Sequence, residues 1–413
     1  MSSRSRADDR PTARGDRVGV AVLGSTGSIG RQVLDVLSGL PDDFRIVALA
    51  AGRNADLLAE QVAAIRPAAV AIEEGTLREL PPGTRLVGGD DALLELATRD
   101  DVDIVVVGTG GIVSLRSIVA ALGAGKVVAT ANKETLVAGG HLVMPLARAS
   151  AERTAERSPA DPYASPLAWV RPIDSEHSAI WQCLVGESIG DVAALVLTAS
   201  GGPFLDAPAD LADVTPDQAL RHPTWSMGAK ITVDSATLAN KGLEVIEAHW
   251  LYDVAYDAIE VVIHPQSVVH SAVRFVDGSL KAQLGTPDMR LPIQYALTHP
   301  HRRPSPSAAV DLATAGRLDF RAPDEGRFTA LRIAREAGRL GQRATTALIA
   351  ADEVAVDRFL EGTLSFIGIG EVLEDAVARF GEGPDQAPLL DELLAIDAEV
   401  RAAYGRPTPG AAT

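Results

Sequence analysis

At 413 residues the chain is too long for one ordinary hydrophobic core and predicts two or three domains. Hydrophobic residues at 46% and charged residues at 23% are the proportions of a globular protein and exclude wholesale disorder. Acidic residues outnumber basic ones 55 to 38, and the net charge of −17 repels nucleic acid and anionic membranes, so neither is an expected partner.

A single cysteine, Cys183, excludes a disulfide framework and any multi-thiolate metal site, and it fits a cytoplasmic setting. Residues 1–16 carry Asp8, Asp9 and Asp16 and lack the apolar stretch of a secretory signal, so they read as a disordered tail. No apolar run reaches the length of a membrane span.

The first ordered element is a strand over Val18–Leu23, followed by Gly24-Ser25-Thr26-Gly27-Ser28-Ile29-Gly30 and an amphipathic helix over 31–37. Further strands are expected at Phe44–Ala51, Ala69–Ile72, Ile104–Val107 and 126–129, with helical stretches between them. Apolar strands alternating with helices predict a Rossmann-type, doubly wound parallel sheet over residues 17–166. Arg, Glu, Ser and Pro dominate 148–166, which reads as a surface insertion or linker. An α+β catalytic and dimerisation domain is expected over 167–300, a connector over 301–327, and a helical C-terminal domain over 328–413.

The glycines at 24, 27 and 30 allow backbone N–H groups to approach a pyrophosphate at a helix N-terminus, with Thr26 and Ser28 as hydroxyl donors. A tight turn without ligand would use the same residues, but the strand–turn–helix setting is the one nucleotide binding requires. At the end of the second strand stands Gly52-Arg53-Asn54 rather than an acidic residue for a ribose 2′-OH. Arg53 can neutralise a 2′-phosphate and Asn54 can hydrogen-bond it, which favours NADP over NAD.

Residues 171–177 read R-P-I-D-S-E-H; in an extended segment Asp174 and Glu176 would project to one side and Ser175 to the other. Two carboxylates with a distant third suit Mg²⁺ or Mn²⁺, although an exposed loop would also explain the pair. Thr198 to Phe204 forms a small-residue turn after a strand over 192–197, suited to an anion or to structure alone. Farther on, Ser235, Asn240 and Lys241 offer a hydroxyl, an amide and an ammonium for a phosphate. Glu244 follows Lys241 by three residues and shares its face on a helix, whereas Glu247 reads as an exposed helix charge. Trp225, flanked by Pro and Gly, is either a core aromatic or a lid over substrate. His264 and His270 follow a strand over Ile259–Ile263, a position more often structural than catalytic.

Taken in order, these segments resemble the 1-deoxy-D-xylulose 5-phosphate reductoisomerases over nearly the whole chain past residue 17. The carriers are G-S-T-G-S-I-G at 24–30, A-N-K-E at 131–134, D-S-E-H at 174–177 and S-G-G-P-F at 200–204. H-P-T-W-S-M-G at 222–228, D-S-A-T at 234–237, N-K-G-L-E at 240–244, H-P-Q-S at 264–267 and P-D-M-R at 287–290 complete the set. The resemblance implies NADPH-dependent rearrangement and reduction of 1-deoxy-D-xylulose 5-phosphate to 2-C-methyl-D-erythritol 4-phosphate, with Mn²⁺ or Mg²⁺, in a homodimer. It makes Asp174, Glu176 and Glu244 metal ligands and, with Lys133, the catalytic set. Lys133, Ser175, Glu176, Ser200, His222, Trp225, Ser235, Asn240, Lys241 and Glu244 become substrate contacts, with His222, Trp225 and Met227 on a closing loop. Gly24, Thr26, Gly27, Ser28, Ile29, Gly52, Arg53, Asn54, Asn132, Glu134, Gly228 and Met289 become cofactor contacts. The chain departs from the family's A-A-N-E pattern at Ala350-Ala351-Asp352-Glu353, a segment expected to lie far from the chemistry, and at Gly108-Thr109-Gly110-Gly111.

Two other readings compete. A plain NADPH dehydrogenase would use Cys183 as nucleophile, against its apolar surroundings Ile180 to Val185. A nucleotide-binding regulatory protein would leave the carboxylates and the 240–244 motif without a role.

Overall fold

A computed structural model describes residues 17–206, 210–225, 227–384 and 386–405; the tail expected at 1–16 lies outside them. The chain divides into two compact units. The first comprises residues up to Asn132, Leu142–Asp174 and Met289–Pro306; the second comprises Lys133–His141, Ser175–Asp288 and Ser307 onward.

The first unit is built on seven strands: β1 (Val18–Leu23), β2 (Phe44–Ala51), β3 (Ala69–Ile72), β4 (Arg85–Val87), β5 (Ile104–Val107), β6 (Val127–Thr130) and β7 (Val170–Pro172). They form one wholly parallel sheet in the order β4-β3-β2-β1-β5-β6-β7. All residues of β1, β5 and β6 are buried, which is why these strands read as unbroken apolar runs. Strand order reverses between β1 and β5, and a doubly wound sheet binds ligands at the carboxyl ends of the strands beside such a switch. The expected Rossmann-type sheet is therefore present.

The expected domain boundaries need correction. β7 lies beyond residue 166 yet pairs with β6, and the helix Arg290–Thr298 also belongs to the first unit. Arg171 draws these pieces together: its guanidinium is fully buried and donates to Ala168 O (2.9 Å), Ala296 O (2.7 Å) and the Tyr163 hydroxyl (2.8 Å). Nor is 148–166 a surface linker. The helix Lys133–Arg157 runs through its first part with Ser150 and Ala151 buried, and Tyr163 is buried beyond it. Its polar composition marks the outer face of a helix.

The second unit holds β8 (Val192–Ala199), β9 (Ile259–Ile263), β10 (Val269–Phe275) and β11 (Leu280–Leu284) in the order β11-β10-β8-β9. Only β8 and β9 are parallel. The C-terminal helices Thr329–Leu340, Gln342–Leu360, Phe366–Phe380 and Leu390–Tyr404 form the expected helical C-terminal region, which packs within this unit. Gly242 shows why: a Cβ there would lie 2.5 Å from the Ala334 Cβ, so the helices Ala239–Tyr252 and Thr329–Leu340 touch nearly backbone to backbone. Among the described residues no helix is long and apolar enough to cross a membrane.

Candidate active site

In the first unit, each of the three motif glycines answers a local demand. Gly24 adopts φ +89°, and a side chain there would meet Gly108 O at 2.6 Å, so the ends of β1 and β5 come into contact at the switch point. A Cβ on Gly30 would fall 2.2 Å from Gly24 O, fixing the close approach of helix to turn. Gly27 is the N-cap of the helix Ser28–Ser38 and supplies no side-chain cap, so first-turn N–H groups face outward for an anion. Gly27 and Ser28 are exposed, and Thr26 and Ile29 half-buried.

Beyond β2, Gly52 is half-buried and Arg53 and Asn54 are exposed. Arg53 Nε lies 3.2 Å from Glu74 Oε1, so its charge already has an exposed partner. Asn54 caps the helix Ala55–Ile65 through Oδ1, which accepts from Leu57 N at 3.1 Å; its amide N–H groups are what it can offer a phosphate. Asn132 spends both amide protons on Thr109 O (2.8 Å) and Gly111 O (2.7 Å). It thereby shapes the turn after β5, a task that sequence reasoning missed. Met289 ends this set as the N-cap of the helix Arg290–Thr298.

The carboxylate centre is built around the helix Ala239–Tyr252. Its first turns present Asn240, Lys241 and Glu244, all on one side as the i, i+3 and i+4 spacing requires. Lys241 Nζ donates to Glu244 Oε2 (2.5 Å) and Glu176 Oε1 (2.8 Å). Lys133 Nζ donates to Asn240 Oδ1 (2.7 Å) and stands 3.9 Å from Glu244 Oε1, to which Asn240 Nδ2 also donates (2.5 Å). Ser175 Oγ donates to Glu176 Oε2. Burial opposes the Lys241 charge, but the Glu176 and Glu244 carboxylates overcome it and hold the ammonium above its ordinary range.

Asp174 immediately precedes the helix Ser175–Leu184, and the ligand atoms of Asp174, Glu176 and Glu244 lie within 4.8 Å of one another. Asp174 and Glu176 do come together, but the segment is the start of a helix rather than an extended run. An acidic residue in a first helical turn is favoured by the helix dipole, which sequence periodicity alone did not reveal. Three carboxylates against two ammonium groups leave negative charge in a partly buried setting. An all-oxygen donor set of that charge fits a hard divalent cation.

Ser200 ends up beside His222. The imidazole Nδ1 accepts from Thr224 N (3.1 Å) and Trp225 N (2.9 Å), so the ring proton sits on Nε2, which donates to Ser200 Oγ at 2.9 Å. Burial pushes the His222 pKa down and keeps the ring neutral. With its oxygen accepting from the ring, Ser200 retains its own proton to donate to an anion. Gly201 and Gly202 adopt φ +85° and +65°, and a Cβ on Gly202 would lie 2.9 Å from Ser235 O. The turn is thus pressed against the residue expected to share its ligand. Trp225 is half-buried, with its ring 6.1 Å from that of His270; it is not a core aromatic.

Two expectations fail. Glu247 is not an exposed helix charge: it is 3% exposed, and its Oε2 lies 3.0 Å from His177 Nε2, linking the helices that carry Glu176 and Glu244. Asp352 is not remote: its Oδ2 lies 2.5 Å from Lys230 Nζ, two residues past Gly228, and Glu134 lies 3.8 Å from the same ammonium. Cys183, by contrast, is the buried thiol its apolar surroundings implied, and burial raises it to about 11, which argues against a nucleophile. His264 is structural, as its position implied: Nε2 accepts from Val268 N (3.1 Å), Nδ1 donates to Asp319 O (2.9 Å), and the ring stacks on Phe320.

Family models described as 1-deoxy-D-xylulose 5-phosphate reductoisomerase match residues 20–140, and models of that enzyme's C-terminal domain match 170–252 and 284–403. The chain is 49% identical over 386 residues to the 1-deoxy-D-xylulose 5-phosphate reductoisomerase of Pelotomaculum thermopropionicum, covering 92% of this chain and 95% of the relative. It is 48% identical to that of Moorella thermoacetica, covering 95% and 98%. Among solved structures, the Zymomonas mobilis reductoisomerase in complex with NADPH superposes with a TM-score of 0.82 at 36% identity, covering 94% of this chain and 98% of that one. A reductoisomerase complex with NADPH, fosmidomycin and magnesium gives 0.81 at 37% identity, covering 94% and 97%. With both units, the glycine turn and the carboxylate centre in place, the chain belongs to the 1-deoxy-D-xylulose 5-phosphate reductoisomerase family.

Proposed function

We propose that the chain converts 1-deoxy-D-xylulose 5-phosphate to 2-C-methyl-D-erythritol 4-phosphate with NADPH and Mg²⁺ or Mn²⁺, as an enzyme of non-mevalonate isoprenoid synthesis. The observation that carries this reading is the meeting of Asp174, Glu176 and Glu244 beside two lysines. A plain dehydrogenase has no use for that arrangement.

When bound there, a divalent cation supplies Lewis acidity toward neighbouring substrate oxygens, which rearranging a carbon skeleton next to a ketone requires. NADPH supplies the hydride that reduces the rearranged aldehyde. The rest is the work of side chains. Asp174, Glu176 and Glu244 hold the cation, and Lys241 and Asn240 fix the orientation of the Glu244 carboxylate. Lys133 and Ser175 bind substrate oxygens near them. Ser200, Ser235, Asn240 and Lys241 bind the hydroxyls and the phosphate, with the Ser200 proton aimed by His222. Trp225 and His222 close over the ligand and exclude water. The turn at 24–30, together with Gly52, Arg53, Asn54, Asn132, Glu134, Gly228 and Met289, holds the cofactor.

The family resemblance supports a homodimer, and a single buried cysteine suits the cytoplasm. NADPH oxidation with this substrate, followed by identification of the branched product, tests the reading. Oxidation with no branched product would refute it.

A further inference from the structure

Lys230 lies outside the carboxylate centre, in the first turn of the helix Ala229–Thr237. Three carboxylates surround it. Its Nζ lies 2.7 Å from Asp234 Oδ2 on its own helix and 2.5 Å from Asp352 Oδ2 on the helix Gln342–Leu360. Glu134 Oε1, on the helix Lys133–Arg157, is 3.8 Å away. Asp234 and Asp352 are 2% and 1% exposed, and Glu134 is 9% exposed. Each aspartate gives one oxygen to the ammonium, while the other, Oδ1, is buried without a hydrogen-bond partner among the described residues. Lys230 is therefore what holds both.

What the cluster joins gives it meaning. Glu134 is a cofactor contact in the reading above and follows Lys133. Gly228 is another; its carbonyl accepts from Thr232 N (3.1 Å) and Thr232 Oγ1 (2.8 Å), tying it to the turn that carries Lys230. Ser235 directly follows Asp234. One ammonium thus ties the helices Lys133–Arg157 and Ala229–Thr237, which carry or adjoin cofactor and substrate contacts, to Asp352 in the middle of the helix Gln342–Leu360.

We propose that Lys230, anchored by Asp234 and Asp352, is a positioning residue that sets Glu134 and Gly228 for the cofactor and Lys133 and Ser235 for the substrate. The proposal rests on the reductoisomerase reading. Its physical basis is charge. With the ammonium present, three crowded carboxylates are held to one point; without it they repel one another or take up protons. Burial and the Asp352 carboxylate already push the Asp234 pKa well above the usual carboxylate range, so the balance is tight. Removing Lys230 would let the helix starts that carry Glu134 and Gly228 shift against each other, and a displacement near 1 Å at a reacting centre costs about 100-fold in rate.

The test compares the full-length chain with Lys230→Met, Lys230→Arg and Asp234→Asn. NADPH affinity is measured by fluorescence titration without substrate, alongside kcat, KM and melting temperature. Lys230→Met should bind NADPH about tenfold more weakly, the loss of roughly one positioned hydrogen bond. Its kcat should fall about 100-fold while KM for the sugar phosphate changes less than about threefold. Lys230→Arg should restore most of both losses, since a cation returns. Asp234→Asn keeps the lysine and serves if the methionine variant fails to fold; it should show the same pattern at about one-tenth the size. Wild-type NADPH affinity and kcat in Lys230→Met, or in Asp234→Asn should the former not fold, would overturn the proposal even if melting temperature dropped. A wild-type chain that binds NADPH but forms no branched product would refute the functional reading alone, and the binding measurements would still decide the positioning claim.

Discussion

Arg53 offers the sharpest test of cofactor choice. Its side chain is 85% exposed and pairs with Glu74, itself 63% exposed. An exposed pair of this kind contributes about 0–1 kcal/mol to stability, so Arg53→Ser should leave the melting temperature unchanged. A hydrogen bond from a guanidinium to a ribose 2′-phosphate is worth about 1.5–3 kcal/mol. Giving up Glu74 costs up to about 1 kcal/mol of that, leaving about 0.5–2 kcal/mol, or roughly 2- to 30-fold in affinity. The assay is kcat/KM with NADPH and with NADH at fixed metal and substrate. In Arg53→Ser the preference for NADPH should fall roughly 2- to 30-fold on the same estimate, with NADH kcat/KM unchanged. Glu74→Gln should raise the preference by releasing the competing charge. Equal losses with both cofactors, or an unchanged ratio, would refute the assignment of Arg53 to the 2′-phosphate.

Arg171→Met removes three well-placed donors and leaves buried acceptors on Ala168, Ala296 and Tyr163, so urea unfolding should show a loss of at least about 3 kcal/mol. Unchanged stability would show that this guanidinium does not bind the first unit together. Burial and the Arg171 charge push His299 down to about 3, whereas in the unfolded chain it titrates near 6.5. Between those values the unfolded chain binds the extra proton, so stability is full above about pH 6.5 and declines as pH falls toward 3. His299→Asn should reduce the drop in urea midpoint between pH 7 and pH 5; an unaltered drop contradicts this. Because the Cys183 thiol is raised to about 11, Cys183→Ser should retain kcat within about twofold, and a large loss with the fold intact would revive a thiol mechanism.

Much of the first unit was legible because buried parallel strands are continuous apolar runs, and Gly24 and Gly30 stand where no side chain fits. β7 was not. Its Val-Arg-Pro carries no periodicity, and it is a strand only because the edge of β6 recruits it; Pro172 is tolerated there because an edge strand need not donate on its open side. β11 was equally silent, being an edge strand with no buried residue. At the site, the 240–244 spacing placed Lys241 and Glu244 together through helical geometry alone. Glu247 and Asp352 were misjudged because burial depends on a partner from elsewhere in the chain. His177 stands 70 residues from Glu247, and Lys230 stands 122 residues from Asp352. No local pattern announces such pairs. Lys133 entered only through resemblance, and its place beside Asn240 depends on a contact 107 residues apart in sequence.

The central claim is that Asp174, Glu176 and Glu244 hold a divalent cation on which the rearrangement depends. It is tested most directly by the rate of NADPH oxidation with 1-deoxy-D-xylulose 5-phosphate as free Mg²⁺ or Mn²⁺ is chelated and then restored, in the wild type and in Glu244→Gln. The account predicts a wild-type rate that falls to background and returns with the cation, and a variant that stays at background throughout. Turnover surviving full chelation, or undiminished in Glu244→Gln, would contradict it.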